Sequence, residues 1–560
     1  MKIIRNLLLA LLLSVGITAP APADSKPKTA KRASSVAVTY EEVEALREEL
    51  AAQQKEISEL REELRRMVGQ RIAGPEGKGS SPGALRQLAG AIPIIPVESA
   101  AQPIPQGGPA GGPAADSEKP SPLTFKIGSA SLTPFGFMDF TGYFRSTGLG
   151  SGIGTSFGGI PLSNTPAGRL SETRFSAQNS RIGLRIDTKV GEQKILGYLE
   201  SDFLGLAPTS LAITSNSDSL RMRLYWVDIT RGKFELLGGQ SWSMLTPNRK
   251  GLSPLPGDIF YSQDMDTNYQ VGLTWTRAPQ VRFIYHPNDQ VAWGMALESP
   301  EQFVGGAVTF PSALAGALGG ELNTGGATTG TPNLHPDIIS KIAFDPKVGD
   351  KAIHFEIAGV LRSFKLYNPV TNTSSTATGG GVALNFNLEL FKNPANSFRF
   401  IGDTYFSDGG GRYIFGLGPD LIVRGDGSPS LVHSGSAIGG FEYSHKQKDD
   451  PAKETLYYGY YGGAYFRRNS AIDPANGKLV GYGFSGSSAS ANRAIQEATF
   501  GVIQTFWKNA RYGALKLITQ YSYLIRDPWF VPLGSPKNAK SNMVYVNLRY
   551  ELPGAPPAVK

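Results

Sequence analysis

The sequence predicts an all-β fold, an antiparallel transmembrane β-barrel of about sixteen strands, preceded by an N-terminal α-helical coiled coil. Three observations predict it. Beyond Leu123, stretches of roughly ten residues alternate apolar and polar side chains and are bounded by Gly, Asn, Asp or Pro. The connections between these stretches alternate long and short. Residues 36–68 instead repeat their apolar side chains every three and four positions.

From the N-terminus, Lys2 and Arg5 precede the apolar run Leu7 to Leu13, and Ala21-Pro22-Ala23 supplies small residues where a signal peptidase cuts. Residues 1–23 therefore read as a cleaved secretory signal, and 24–35 as a short tail. In 36–68, Val36, Val43, Leu50, Ile57 and Leu64 fall at a, with Leu46, Leu60 and Met67 at d. That seam, with Glu42 facing Arg47 and Glu56 facing Arg61, suits parallel chains in register. Residues 69–122 turn to Pro, Gly, Ala and Ser without a period, a flexible linker. The barrel takes 123–552, and 553–560 form a C-terminal extension.

Within the barrel, Ile353, Phe355, Ile357 and Leu361 share one face while His354, Glu356 and Arg362 share the other. Val382, Leu384, Phe386, Leu388 and Leu390 oppose Asn385, Asn387 and Glu389, and Val544, Val546, Leu548 and Tyr550 oppose Tyr545, Asn547 and Arg549. Soluble sandwiches alternate too. Connection length discriminates, because bacterial barrels join short periplasmic turns to long external loops. Long connections fall at 146–173, 205–218, 244–268, 300–335, 365–378, 408–432, 469–493 and 526–540, with short turns between them. The scheme treats 269–286 as one strand interrupted near Pro279.

Composition excludes several function classes. The chain has no Cys, which removes disulfide scaffolds, thiolate metal sites and thiol nucleophiles. Its five His include no i, i+4 pair, so no metal site is expected, and neither an enzyme nor a cofactor. An excess of 8 basic over acidic residues, without a basic run, is too dilute for nucleic acid.

Alternation names the side chains that face inward. Ile182, Leu184 and Ile186 outward turn Arg181, Arg185 and Asp187 inward, and Met222, Leu224 and Trp226 outward turn Arg221, Arg223 and Tyr225 inward. The strand between carries Glu200 and Asp202. Arg282, Lys341, Arg362 and Arg399 complete the candidate pore lining. Each such Arg is either a pore charge or a salt-bridged wall residue. Loop 244–268 holds Asp258, Asp264 and Asp266 among its prolines. The Tyr-rich stretch 457–466 reads as an interfacial girdle or a contact between copies.

Four phrases resemble Gram-negative general porins: Arg174-Phe-Ser-Ala-Gln-Asn-Ser-Arg-Ile-Gly-Leu-Arg185, Gly197-Tyr-Leu-Glu-Ser-Asp-Phe203, Leu237-Gly-Gly-Gln-Ser-Trp242 and Ala296-Leu-Glu-Ser-Pro300. Together with the signal, coiled coil and spacer, the chain resembles the DcaP-like trimeric porins. The resemblance implies a homotrimer in the outer membrane of a Gram-negative bacterium, with one diffusion pore per chain. It further implies a pore narrowed by an inward loop and basic residues, passing small anions such as dicarboxylates. The place of loop 244–268 after the fifth strand matches the family's constriction loop. The C-terminus departs from the pattern, since Leu552 is followed by Pro553 to Lys560 where an aromatic end is usual. The expected function is passive diffusion of small polar, anionic solutes, with lipids, solutes and sister chains as partners and the coiled coil in the periplasm. The alternatives are an envelope anchor whose coiled coil binds peptidoglycan or another periplasmic partner, and an outer-membrane hydrolase.

Overall fold

The computed structural model describes residues 121–205, 218–259, 263–325 and 331–553. The expected signal, tail and coiled coil, the linker up to residue 120 and the extension from residue 554 lie outside the described residues.

Alternation makes every wall strand two-faced. In the C-terminal strand, Val544, Val546 and Leu548 are exposed on the outside while Met543, Tyr545, Asn547 and Arg549 are buried on the inside. The wall runs β1 (Ala130–Arg145), β2 (Glu172–Ser176 and Arg181–Val190), β3 (Gln193–Asp202), β4 (Arg221–Arg231) and β5 (Phe234–Trp242). It continues through β6 (Arg277–Asn288), β7 (Val291–Glu298), β8 (Asp337–Phe344), β9 (Ile353–Asn368), β10 (Thr373–Lys392) and β11 (Asn396–Asp408). It ends with β12 (His433–Lys446), β13 (Glu454–Phe466), β14 (Asn492–Asn509), β15 (Gly513–Pro528) and β16 (Ala539–Glu551). Each strand pairs antiparallel with the next, and β16 closes on β1 from Phe137↔Glu551 to Arg145↔Met543. Of 18 hydrogen-bonded segments, one is the short arm Phe125–Ile127 folded onto β1 and two are halves of β2, which leaves a closed barrel of 16 strands. Closure removes every free edge, and among the described residues no helix is long and apolar enough to cross a membrane.

Three sequence expectations are corrected. Residues 269–276 are not strand; β6 begins at Arg277 and contains Pro279 near its start, with the ring turned outward opposite Gln240. The preceding segment is pulled off the wall because its backbone is bonded across the interior, as described below. Second, 365–378 is not a long loop. Lys365 to Asn368 pair with Thr373 to Thr376, and only 369–372 turn, with Asn372 at φ 56°. Threonine-rich polar sequence reads as loop, yet it forms good strand where a hairpin projects beyond the apolar belt.

The third correction is on β4. Its ladder with β3 slips between Glu200 and Ser201, which leaves Arg223 as an extra residue between Met222 and Leu224. A bulge of this kind reverses the alternation beyond it. Arg221 and Arg223 keep their inward direction, but Leu224 and Trp226 become buried inside the barrel and Tyr225 turns outward to bond Ser201, 2.7 Å between hydroxyl oxygens.

Candidate functional site: the barrel interior

The connection 243–276 crosses the lumen. Its backbone is held by side chains on strands far apart in sequence. Met244 N donates to Glu298 on β7 (2.7 Å) and Asn248 N to Glu356 on β9 (2.9 Å). Lys341 on β8 donates to Thr246 O (2.9 Å) and pairs with Glu356 (2.8 Å). Arg249 forms a two-pronged pair with Glu442 on β12 (2.9 and 2.7 Å). Met265 N reaches Gln520 on β15 (2.6 Å), Val271 N reaches Glu497 on β14 (3.0 Å) and Thr274 N reaches Asp403 on β11 (3.0 Å). Charged and amide side chains that alternation points inward thus satisfy the buried loop backbone.

Two of the three loop carboxylates, those of Asp264 and Asp266, are part of this anchoring. Asp266 accepts from Tyr545 on β16 (2.8 Å) and from Thr155 N of the connection 146–171 (3.0 Å), so it ties two loops to one wall. Asp264 accepts from Gln520. Asp258 is buried in a short 3₁₀ turn, where Arg249 N donates to its carbonyl oxygen (2.7 Å).

Burial, and then the charge of Asp266, pushes the Asp264 carboxyl well above its ordinary range. Glu497 on β14 and Tyr458 on β13 lie close enough to feel its charge. A docked loop therefore holds a proton that a released loop gives up above an ordinary carboxyl pKa of about 3.9. By linkage, docking is at full strength below that pH and weakens as pH rises through the interval up to the raised value. Single-channel conductance is expected to rise with pH from about pH 4 upward, and Asp264→Asn is expected to flatten the profile. An identical profile in the variant would rule Asp264 out as its origin.

On the wall from β2 to β4 the sequence candidates meet. Arg223 donates from Nε to Glu200 and from Nη1 to Asp202, both at 2.7 Å, and both its partners are buried. Arg221 grips Asp202 through Nε (3.0 Å) and Nη2 (2.9 Å), and Arg181 stands 3.8 Å from Glu200. Two further residues join that sequence reasoning did not name. Arg277, the first residue of β6, lies over the Trp242 ring at 5.4 Å and acts on the charge of Asp202. From the loop side comes Tyr269, whose phenol burial pushes up while Arg223, Arg181 and Arg277 pull it down. Four guanidiniums against two carboxylates leave the cluster net positive. Alternation along 269–286 did not single out Arg277; its place at the loop-to-strand junction, as the first residue of β6, brings it here.

The other candidates lie elsewhere. Arg185, four residues or ~13 Å along β2 from Arg181, is closed onto Asp187 of its own strand (2.8 and 2.7 Å). Arg282 donates to Trp242 O (2.8 Å) and to Gln280 (3.1 Å). Arg362 ties the connections 299–336 and 409–432 to the wall through Asp337 (3.1 Å), Asp420 (2.9 Å) and Glu301 O (2.6 Å). Arg399 bonds Glu389 (3.3 Å) near the short-turn end. The salt-bridged-wall reading thus describes Arg185, Arg362 and Arg399, and Lys341 is a loop anchor.

At the end with the long connections, 146–171, 299–336, 409–432 and 467–491 pack together over an apolar core that includes Ile160, Leu318, Ile422 and Tyr482. Tyr269 of the connection 243–276 and Phe415 of 409–432 have φ of 60° and 53°, a left-handed backbone that costs bulky side chains of order 1–3 kcal/mol each. Both rings contact Trp275, Phe415 stacked at 4.7 Å and Tyr269 edge-on at 5.2 Å.

No family model matches the chain, and no curated protein does. Solved structures do. The outer membrane channel DcaP of Acinetobacter baumannii is 19% identical, with a TM-score of 0.53 over 76% of this chain and 99% of that one. The anion-selective porin from Comamonas acidovorans overlays at 13% identity and a TM-score of 0.41, covering 76% of this chain and 100% of that one. OprB of Pseudomonas putida overlays at 10% and 0.43, covering 75% and 94%. At such identities the likeness is one of fold. The chain shares the fold of the outer membrane channel DcaP, a wall of sixteen antiparallel strands closed on itself.

Proposed function

We propose that the chain is a narrow outer-membrane channel for passive diffusion of small polar solutes, with a preference for anions. The observation that carries this reading is the net-positive cluster of Arg181, Arg221, Arg223 and Arg277, set on a closed barrel wall and met from the loop by Tyr269. Low-dielectric walls focus such a field, so a few uncompensated charges select ions even though the whole chain is only mildly basic. Dicarboxylates as solutes, assembly as a homotrimer and a periplasmic coiled coil belong to this reading through the sequence resemblance. The proposed role is transport, without a catalytic step.

A second reading has its own observation. Many inward side chains, among them Glu200, Asp202 and Arg223, are almost fully covered by loop and neighbours, as they would be in a plugged barrel that serves as an envelope anchor. Planar-bilayer recording of the purified protein separates the two. The channel reading expects discrete conductance steps and, across a salt gradient, an anion-selective reversal potential that grows as salt is lowered. A silent bilayer supports the anchor, and a cation-selective pore keeps the channel but removes the anion preference.

A further inference from the structure

A cavity of about 190 Å3 opens at the end with the long connections, between the first residues of β6 and the connections 299–336 and 409–432. It has room for about six waters at roughly 30 Å3 each, and falls below the ~300–1,000 Å3 of sites for drug-sized ligands. Trp275, Phe303 and Phe415 supply flat apolar walls, and Arg277, Arg412 and Glu301 supply charge.

These walls are held in place. Phe415 keeps its left-handed backbone while stacked on Trp275, and Trp275 N donates to Tyr413 O at 3.0 Å, which bolts the two loops together. Gly416 follows, and a Cβ there would meet the Phe303 ring at 3.2 Å. Strain kept in an aromatic residue beside a cavity points to a preorganised ligand wall. The charges are placed too. Arg412 is steadied by Ser299 O (3.0 Å) and Asp337 (3.4 Å), and Glu301 accepts from Asn323 (3.3 Å). Arg277 links the cavity to the arginine cluster beneath through its action on Asp202.

We propose that this cavity is a solute-docking site for a small zwitterion with a flat apolar group, of the size and chemistry of a single-ring amino acid. A carboxylate is taken by the guanidiniums of Arg277 and Arg412, an ammonium by Glu301, and the ring by Trp275 and Phe415. Glu301 decides between classes: a dicarboxylate would set its second negative charge against that side chain, whereas an ammonium is attracted to it. The proposal rests on the channel reading and adds to it a docking site at the channel's mouth for one further solute class, apart from the anions that the arginine cluster favours.

The test uses the full chain in a planar bilayer, with L-phenylalanine, 3-phenylpropanoate and protonated phenethylamine added separately on the side of the long connections. L-Phenylalanine is expected to interrupt the current at a concentration at least about tenfold below either singly charged analogue, the scale of one charged hydrogen bond. Glu301→Gln keeps an oxygen for Asn323 and is expected to retain the unblocked conductance while erasing the advantage over 3-phenylpropanoate. Equal potency of L-phenylalanine and 3-phenylpropanoate on the native chain would overturn the zwitterion assignment, and a conducting pore that none of the three interrupts would overturn the site. A silent bilayer would instead overturn the channel reading. Calorimetric titration of the detergent-solubilised chain with the same probes and variant then tests the cavity by itself: the same order of affinities upholds it, and no heat of binding sinks it.

Discussion

Gly462→Val is expected to release the connection 243–276 from the wall and raise single-channel conductance severalfold while the barrel stays closed. Gly462 faces inward on β13, where a Cβ would lie 1.9 Å from Val271 O and 3.2 Å from Ala437 O. Both obstacles are backbone atoms, so no side-chain rotation relieves the clash. Gly272 repeats the constraint from the loop side, with φ of 99° and a Cβ position 2.2 Å from Ala437 O. Backbone rests on backbone here, and a branched side chain exceeds the ~1–3 kcal/mol that ordinary overpacking costs. With the tip displaced, the bonds of Val271 N to Glu497 and Thr274 N to Asp403 are lost. The ladder pairs of Gly462 with Ile438 and Glu497 use strand backbone only and survive. Heat-modifiable migration on gels reports closure and conductance reports the loop. A closed barrel of unchanged conductance would mean that this loop does not set the width of the pore.

Arg223→Ala is expected to cost about 3–5 kcal/mol of stability, the usual penalty for stranding a buried charge. Arg223 is bonded to both Glu200 and Asp202, each at 2.7 Å, and all three side chains are at most 3% exposed. Arg221 remains on Asp202, and Glu200 keeps the Tyr198 hydroxyl at 3.1 Å and Arg181 at 3.8 Å, neither of which replaces the 2.7 Å charged pair. The thermal midpoint of the heat-modifiable shift should fall, and the reversal potential should move toward cations. Arg223→Met combined with Glu200→Gln removes one charge of each sign and should recover most of the stability. Arg185→Ala is the comparison: its partner Asp187 is 42% exposed, so that pair is partly screened by solvent and a smaller loss than in Arg223→Ala is expected. Equal losses in Arg185→Ala and Arg223→Ala would dissolve the distinction between cluster and wall.

The arginines show how far a periodic reading reaches. Alternation turned Arg181, Arg185, Arg221 and Arg223 inward, and all four do face inward. It did not show that Arg185 closes onto Asp187, because direction across a strand is periodic while distance along it depends on which neighbours are opposite. Nor did it show the bulge at Arg223, which leaves both β4 arginines in place but turns Leu224 and Trp226 into the barrel. The turn at 369–372 was missed for a related reason: Thr and Ser are common in loops and in strands alike.

The sequence by itself determined the closed, even-stranded wall, its inner and outer faces apart from β4 beyond its bulge, and the end from which the long connections rise, because a two-residue period and connection length are local properties of the chain. Only the tertiary structure decided what occupies the lumen. The contacts that hold the loop there join residues remote in sequence, such as Arg249 to Glu442 and Asp266 to Tyr545. Such pairs leave no period to read: one partner sits in an irregular segment, and the other is one inward side chain among many until the barrel closes and brings them within hydrogen-bond reach.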